Sequence, residues 1–142
     1  MTERNIAALI AVRSLIKNSP DKHDQKQWVN IVPDLVKIDG ELKYATCGTS
    51  ACVAGWAAAI NGAKYLITPF TDFDEDDKVY RPNMVIDKKG QQHCIEDYAQ
   101  EVLGLTNEEA ELLFDGELPR KEVLRLLKRL IKGKKIAVRF DW

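Results

Sequence analysis

Cys47-Gly48-Thr49-Ser50-Ala51-Cys52-Val53-Ala54-Gly55-Trp56-Ala57-Ala58-Ala59-Ile60-Asn61-Gly62 is the stretch on which the fold turns. It predicts a helix that starts near Ser50, where Thr49 or Ser50 can accept the free amides of the first turn, and ends at Asn61-Gly62. Ala51, Gly55, Ala58 and Gly62 leave one side almost free of side chains, while Cys52, Trp56 and Ile60 recur every fourth residue. A glycine inside a helix costs about 1 kcal/mol relative to alanine. Its usual return is the close approach of another backbone. This stretch is therefore expected to be the central, buried helix.

On the amino-terminal side, a helix is expected from about Glu3 to Lys17, with Ile6, Leu9, Ile10 and Ile16 on its inner face. Asn18-Ser19-Pro20 ends it, because a residue before proline avoids the helical region. A short second helix containing Lys22 to Ile31 is expected next, with Pro20 at its first position and Pro33 as its stop. Leu35 to Ile38 lead into an Asp39-Gly40 turn, a hairpin-like excursion. On the carboxyl-terminal side, residues 64–94 read as strands and loops. Tyr65-Leu66-Ile67 and Met84-Val85-Ile86 are the apolar runs, and Lys88-Lys89-Gly90 is a hairpin turn. Helices follow at Ile95 to Leu103, stopped by Gly104, then from Thr106 to about Phe114, and from Pro119 to Gly133. Thr106 and Glu109 have the spacing of a capping box. Val123, Leu126, Leu127, Leu130 and Ile131 form one stripe of the last helix. Residues 136–142 alternate apolar and polar, the pattern of a terminal strand. The expected class is α+β, mainly α: five or six helices around the central Ala/Gly-rich helix, with a small antiparallel β element that includes the C-terminal strand. Residues 1–142 are expected to form a single globular domain.

Composition narrows the setting. The 142 residues are 45% hydrophobic, which suits a packed core. No run approaches the ~20 apolar residues of a membrane span. Ile6 to Val12, ended by Arg13, reads as a helix face rather than a secretion signal. Three cysteines cannot complete a disulfide framework, so reduced thiols in a cytoplasm are expected. Net charge is −1, but residues 120–142 hold nine basic and two acidic side chains. A tail lying on its own acidic body is favoured over a nucleic-acid surface, since its basic residues alternate with apolar ones. Asp72-Phe73-Asp74-Glu75-Asp76-Asp77 opens like a calcium loop. Asp77 then stands where glycine is needed and Asn83 where a bidentate glutamate is needed, so it reads as a solvated loop. Glu108, Glu109 and Glu111 argue against reading Tyr98 to Phe114 as a DNA-binding helix-turn-helix.

The cysteines leave three readings open. Cys52 is a small buried hydrophobe. Alternatively, in the first turn of its helix it is a lowered-pKa nucleophile with His23 as base, serving a hydrolase or thiol-transfer enzyme. The third is a structural zinc module, with Cys47, Cys52, His23 and either His93 or Cys94 as ligands. No phosphate-binding loop, dinucleotide fingerprint, nucleophile elbow or His-Glu-x-x-His is present, and no cofactor is assigned.

Cys47-Gly48-Thr49-Ser50-Ala51-Cys52-Val53-Ala54-Gly55-Trp56-Ala57 resembles a segment of a family of uncharacterised small bacterial and bacteriophage proteins, with the pattern Cys-Gly-Thr-x-x-Cys-x-Ala-Gly-Trp/His-Ala. His23-Asp24-Gln25-Lys26-Gln27-Trp28 resembles an upstream block of that family, and Leu103-Gly104-Leu105-Thr106 with Glu109-Ala110 and Leu113-Phe114 a downstream one. The resemblance implies that His23, Asp24, Gln25, Trp28, Cys47, Thr49, Cys52 and Trp56 meet in space. Such a cluster is either a polar cap that fixes the fold or a pocket where an anion or nucleotide base meets helix amides and two indoles. The expected function is that of a small cytoplasmic, phage-associated accessory protein. It would bind a host protein or a small nucleotide-like ligand rather than catalyse a reaction. Neither membrane nor nucleic acid is an expected partner, and the oligomeric state is left open.

Overall fold

The computed structural model describes residues 3–136. Among these, the elements run α1 (Ile6–Asn18), β1 (Val29–Asn30), β2 (Lys37–Asp39), β3 (Leu42–Ala45), β4 (Ser50–Ala51), α2 (Val53–Ile60), β5 (Lys64–Ile67), β6 (Asp72–Asp74), β7 (Val79–Arg81), β8 (Met84–Ile86), β9 (Gln92–Cys94), α3 (Ile95–Leu103), α4 (Asn107–Leu113) and α5 (Arg120–Ile131). Single 3₁₀ turns occupy Pro20–Lys22 and Pro33–Leu35.

The central helix is where the sequence puts it, and α2 is buried from Val53 to Ala58. Gly55 has the reason anticipated for it. A Cβ there would stand 1.9 Å from the Trp28 carbonyl oxygen and 2.8 Å from the Ala51 methyl group. The chain 22–28 therefore crosses α2 at backbone contact, and no side chain fits between them. Helix α1 packs against α2 and α5, and α3 against α2. Tyr65 of β5, fully buried, drives its hydroxyl into the Gly55 carbonyl and ties the sheet to the same helix. Burial pushes its phenol well above the ordinary value.

The sheet corrects the expected class. β2-β3-β5-β8-β9 form a five-stranded antiparallel sheet, and β1-β4 and β6-β7 form two smaller pairs. The protein is α+β, not mainly α. Its strands are two to four residues long, too short for alternation to register as a pattern, and all three residues of β2 are exposed. The Leu35–Ile38 excursion is the edge of this sheet: Lys37 pairs with Tyr44 and Asp39 with Leu42. The turn at Lys88-Lys89-Gly90 joins β8 to β9 as expected.

The helix expected over Lys22 to Ile31 does not form. After one 3₁₀ turn the chain is extended, with Val29 paired to Ala51 and Asn30 to Ser50. Nonlocal pairing overrides a locally helix-compatible run. For the same reason α2 begins late: Ser50 and Ala51 belong to a strand, and Cys52 is the residue that precedes the helix. In α1 the inner face is Ala8, Leu9, Val12 and Ile16, while Ile6 and Ile10 remain exposed. The face is turned from the one expected.

The remaining helices match closely. Gly104 ends α3 in the left-handed region, φ 68°, and a Cβ there would lie 1.9 Å from the Glu3 carbonyl oxygen. Thr106 and Glu109 form the capping box of α4. Val123, Leu126, Leu127 and Leu130 of α5 are buried, and Ile131 packs on the core edge. Arg120 donates to the Ile16 and Lys17 carbonyls at the end of α1, and Arg4 bonds Glu109, so the two helix pairs are tied by charge as well. The expected C-terminal strand lies outside the described residues, apart from Ile136, which packs against the core. No helix among the described residues is long and apolar enough to cross a membrane.

Gly55→Ala is expected to cost about 2 kcal/mol of stability, because the overpacking penalty exceeds the gain in helix propensity. At Gly116 a Cβ would meet its nearest neighbours at ordinary contact distance, 3.4 Å, so Gly116→Ala should change stability little. Chemical denaturation of both variants checks the contrast.

Candidate functional site

The amino end of α2 and the chain around His23 meet, and backbone makes most of the contact. His23 forms a parallel bridge with Ala51. The Asp24 amide donates to the Ala51 carbonyl at 3.0 Å, and the Cys52 amide donates to the Gln27 carbonyl at 3.0 Å. The Trp56 indole Nε1 donates to the Lys22 carbonyl at 2.7 Å. The Thr49 amide donates to the Asn30 carbonyl at 2.8 Å, and its hydroxyl accepts from the Val32 amide at 3.3 Å. Segments 22–32 and 49–56 are thus stitched along their length.

The side chains complete the stitching. Gln25 is buried, and its Nε2 donates to the Leu113 carbonyl at 2.9 Å and the Asp115 carbonyl at 3.0 Å, at the end of α4. With the amide nitrogen committed to two carbonyls, Oε1 is left to face His23 Nε2 at 2.8 Å. That nitrogen must carry the proton, so His23 is the Nε2–H tautomer. Burial lowers the His23 pKa below its ordinary 6.5, outweighing the Gln25 hydrogen bond. Asp24 accepts from Asn30 Nδ2 at 2.8 Å, and the same Asn30 amide donates to Ser50 Oγ at 2.9 Å.

Asn30 then passes the network outward. Arg81 Nε donates to Asn30 Oδ1 at 2.8 Å, and the Arg81 guanidinium also clamps Asp74 and Asp77. The acidic run expected to be a solvated loop is the β6-β7 hairpin, and Arg81 neutralises part of it. Hydrogen bonds to Asp74 from the Asp77 amide and then from Arg81 hold that carboxyl below its usual range. Asn30, Ser50 and Arg81 were missed by sequence reasoning. Nothing local marks Asn30 as buried, and Arg81 reaches it only through the Ile31–Tyr80 bridge.

The thiol reading meets a different environment from the one expected. Cys52 is 1% exposed and precedes the helix rather than sitting in its first turn. Burial pushes its thiol up to about 12, against the pull of the Gly55 and Ala54 amides. Its sulfur lies 3.8 Å from the Trp28 carbonyl oxygen, while His23 is committed to Gln25. Cys52 packs as a small hydrophobe. Cys47 lies at the surface. The zinc combination does not assemble either. His93 of β9 bonds Asp87 at 2.8 Å and lies tilted against the Tyr98 ring of α3, and Cys94 precedes α3. Among the described residues, no three His, Cys, Asp or Glu side chains converge as a metal would require.

Of the eight expected site residues, His23, Asp24, Gln25, Thr49, Cys52 and Trp56 are drawn into this internal cluster. Trp28 joins it only through its carbonyl. Its indole turns the other way, edge-on to Phe114 at 6.4 Å, and is half-buried. There it lines a groove of about 440 Å³ with Phe114 and Ala110, walled by Glu96, Asp97 and Gln100 of α3 and Asn107 and Glu111 of α4. No family model, curated protein or solved structure matches this chain.

Two outcomes follow from the cluster. Iodoacetamide should label surface Cys47 well before Cys52, by at least about an order of magnitude at neutral pH, as read by mass spectrometry of quenched time points. Because the folded-state pKa of His23 is depressed, the unfolded chain binds more protons just below pH 6.5. Stability should therefore fall as pH drops from 6.5 toward the folded value, and His23→Gln should flatten that part of the pH–stability curve.

Proposed function

We propose that this chain is a cytoplasmic, phage-associated accessory protein that acts by binding a partner protein, and that the partner seats in the groove beside Trp28. The observation that carries this reading is the division of labour around Trp28. The reactive-looking groups, His23 and Cys52, are turned inward, one bonded to Gln25 and the other buried. The one aromatic side chain of the cluster that turns outward lines an open, formed groove. Grooves of several hundred Å³ with aromatic floors and a few polar groups are common sites of recognition.

Between the two partners expected from sequence, the geometry favours a protein over a nucleotide-like ligand. The amino end of α2, which would receive a phosphate, is covered by the chain 22–28 and has no opening toward solvent from Ala51 to Ala58. The groove that is open carries three carboxylates, Glu96, Asp97 and Glu111, which repel phosphate.

A photo-crosslinking residue at Gln100, on the groove wall, should trap one predominant protein from host lysate. The same residue placed at Glu75, in the β6-β7 turn, should not. Trp28→Ala should remove the adduct while the chain stays folded. An adduct indifferent to Trp28→Ala, or bound nucleotide released from the purified protein, would count against the reading.

A further inference from the structure

The groove also carries information about what kind of segment enters it. Its floor is the Trp28 indole with the Phe114 ring edge-on beside it. Its walls bring together Glu96 and Asp97 from α3 and Glu111 from α4, and among the described residues no lysine or arginine lines it. Several carboxylates elsewhere are ion-paired, Asp74 with Arg81, Asp87 with His93, Glu109 with Arg4 and Glu122 with Arg125. Among the described residues, Glu96, Asp97 and Glu111 have no hydrogen-bonded or ion-paired partner at all.

Helix electrostatics accounts for part of this. Glu96 and Asp97 stand in the first turn of α3, where the dipole favours a carboxylate whatever else is near. Glu111 is the fifth residue of α4, past its first turn, and the dipole gives no reason for it. Its position on the groove, on a different helix from Glu96 and Asp97, fits a site for positive charge. An aromatic face flanked by unpaired carboxylates attracts a cation twice, through the ring quadrupole and through Coulomb attraction. Of the two basic side chains, arginine fits better. Its planar guanidinium can lie on the indole while its N–H edges reach more than one carboxylate, which the compact lysine ammonium does less well.

The groove also has a way to hold main chain. Gln100 Nε2 donates to Asn107 Oδ1 at 2.7 Å and to the Leu105 carbonyl at 3.2 Å. The Gln100 side-chain Oε1 and the Asn107 side-chain Nδ2 are left with no partner among the described residues, one acceptor and one donor on residues that line the groove. That pair suits one peptide unit. A volume of about 440 Å³ takes one or two side chains with their backbone, not a folded surface.

Building on the binding role assigned to the groove above, we infer that its occupant is an extended, arginine-bearing segment of a partner protein, seated with a guanidinium on Trp28 between Glu96, Asp97 and Glu111. The charge pattern and the unpaired amides select this occupant over acidic or purely apolar segments.

The test uses the full-length ¹⁵N-labelled chain and four probes: acetyl-Gly-Arg-Gly-Arg-Gly-amide, its glutamate and leucine counterparts, and argininamide. The arginine peptide should saturably shift the Trp28 indole signal and the backbone signals of Gln100 and Glu111 at concentrations up to about 1 mM, the weak end of specific recognition. It should do so more tightly than argininamide, which lacks the peptide units. The double variant Glu96→Gln/Glu111→Gln, both on helix surfaces, should bind about tenfold more weakly. Asp72→Asn/Asp76→Asn, which removes charge from the β6-β7 hairpin, should leave binding unchanged. Shifts centred on residues 72–77 would overturn the inference, as would equal binding by the double variant or by argininamide. A leucine or glutamate peptide that binds at the groove as well as the arginine peptide would overturn the arginine assignment and leave the groove standing as a docking site. If no peptide shifts the groove signals, the arginine inference fails, whereas the docking role itself fails only if the Gln100 crosslink is also absent.

Discussion

The backbone of residues 22–28 lies directly on α2, and the rest of the arrangement follows from that contact. It is possible only because position 55 has no side chain, since a Cβ would meet the Trp28 carbonyl oxygen at 1.9 Å. The approach lets the Lys22 carbonyl reach the Trp56 indole and lets the Gln27 carbonyl cap the Cys52 amide. Buried main-chain groups that would otherwise be orphaned are satisfied in this way, and each one left unsatisfied would cost about 1–3 kcal/mol. The polar residues between them, His23 to Gln25, carry the contact on to the end of α4, where Gln25 bonds two carbonyls. Three parts of the chain, remote in sequence, are fixed relative to one another through this one crossing.

The same crossing explains why chemically suggestive residues are occupied with structure. Cys52 is sealed by the segment lying over it, and desolvation raises its thiol rather than activating it. His23 is held in one tautomer by an amide that is itself fixed by two carbonyls. Among the described residues no buried side-chain nitrogen or oxygen lacks a partner, so the cluster holds no buried polar atom left for a ligand. What the crossing exports to the surface is Trp28. Its carbonyl belongs to the contact and its indole to the groove between α3 and α4.

How much of this was legible in the sequence depended on whether the signal was local. Gly104, the Thr106–Glu109 capping box and the stripe Val123, Leu126, Leu127 and Leu130 were readable because caps and helical periodicity are local chemistry. Gly55 was readable as a point of close approach, but not the partner that makes it. The run Lys22 to Ile31 was misread because its extended shape comes from pairing with Ser50 and Ala51 across about twenty residues of chain. The five-stranded sheet was underestimated because strands of three or four residues leave almost no period to detect. The His23 and Cys52 segments lie together through the His23–Ala51 bridge and the Cys52–Gln27 hydrogen bond. Motif spacing carries no information on which side chains face inward, and the groove beside Trp28 draws its α3 wall from residues outside every quoted motif.

If the crossing of residues 22–28 over α2 organises the protein, the two must open together. Amide hydrogen exchange on the intact chain measures this directly. The Asp24 and Cys52 amides, whose acceptors lie across the crossing, should exchange at the same slow, globally limited rate as the amides within α2. Exchange of those two amides at the rate of an open loop, while α2 stays protected, would contradict the account.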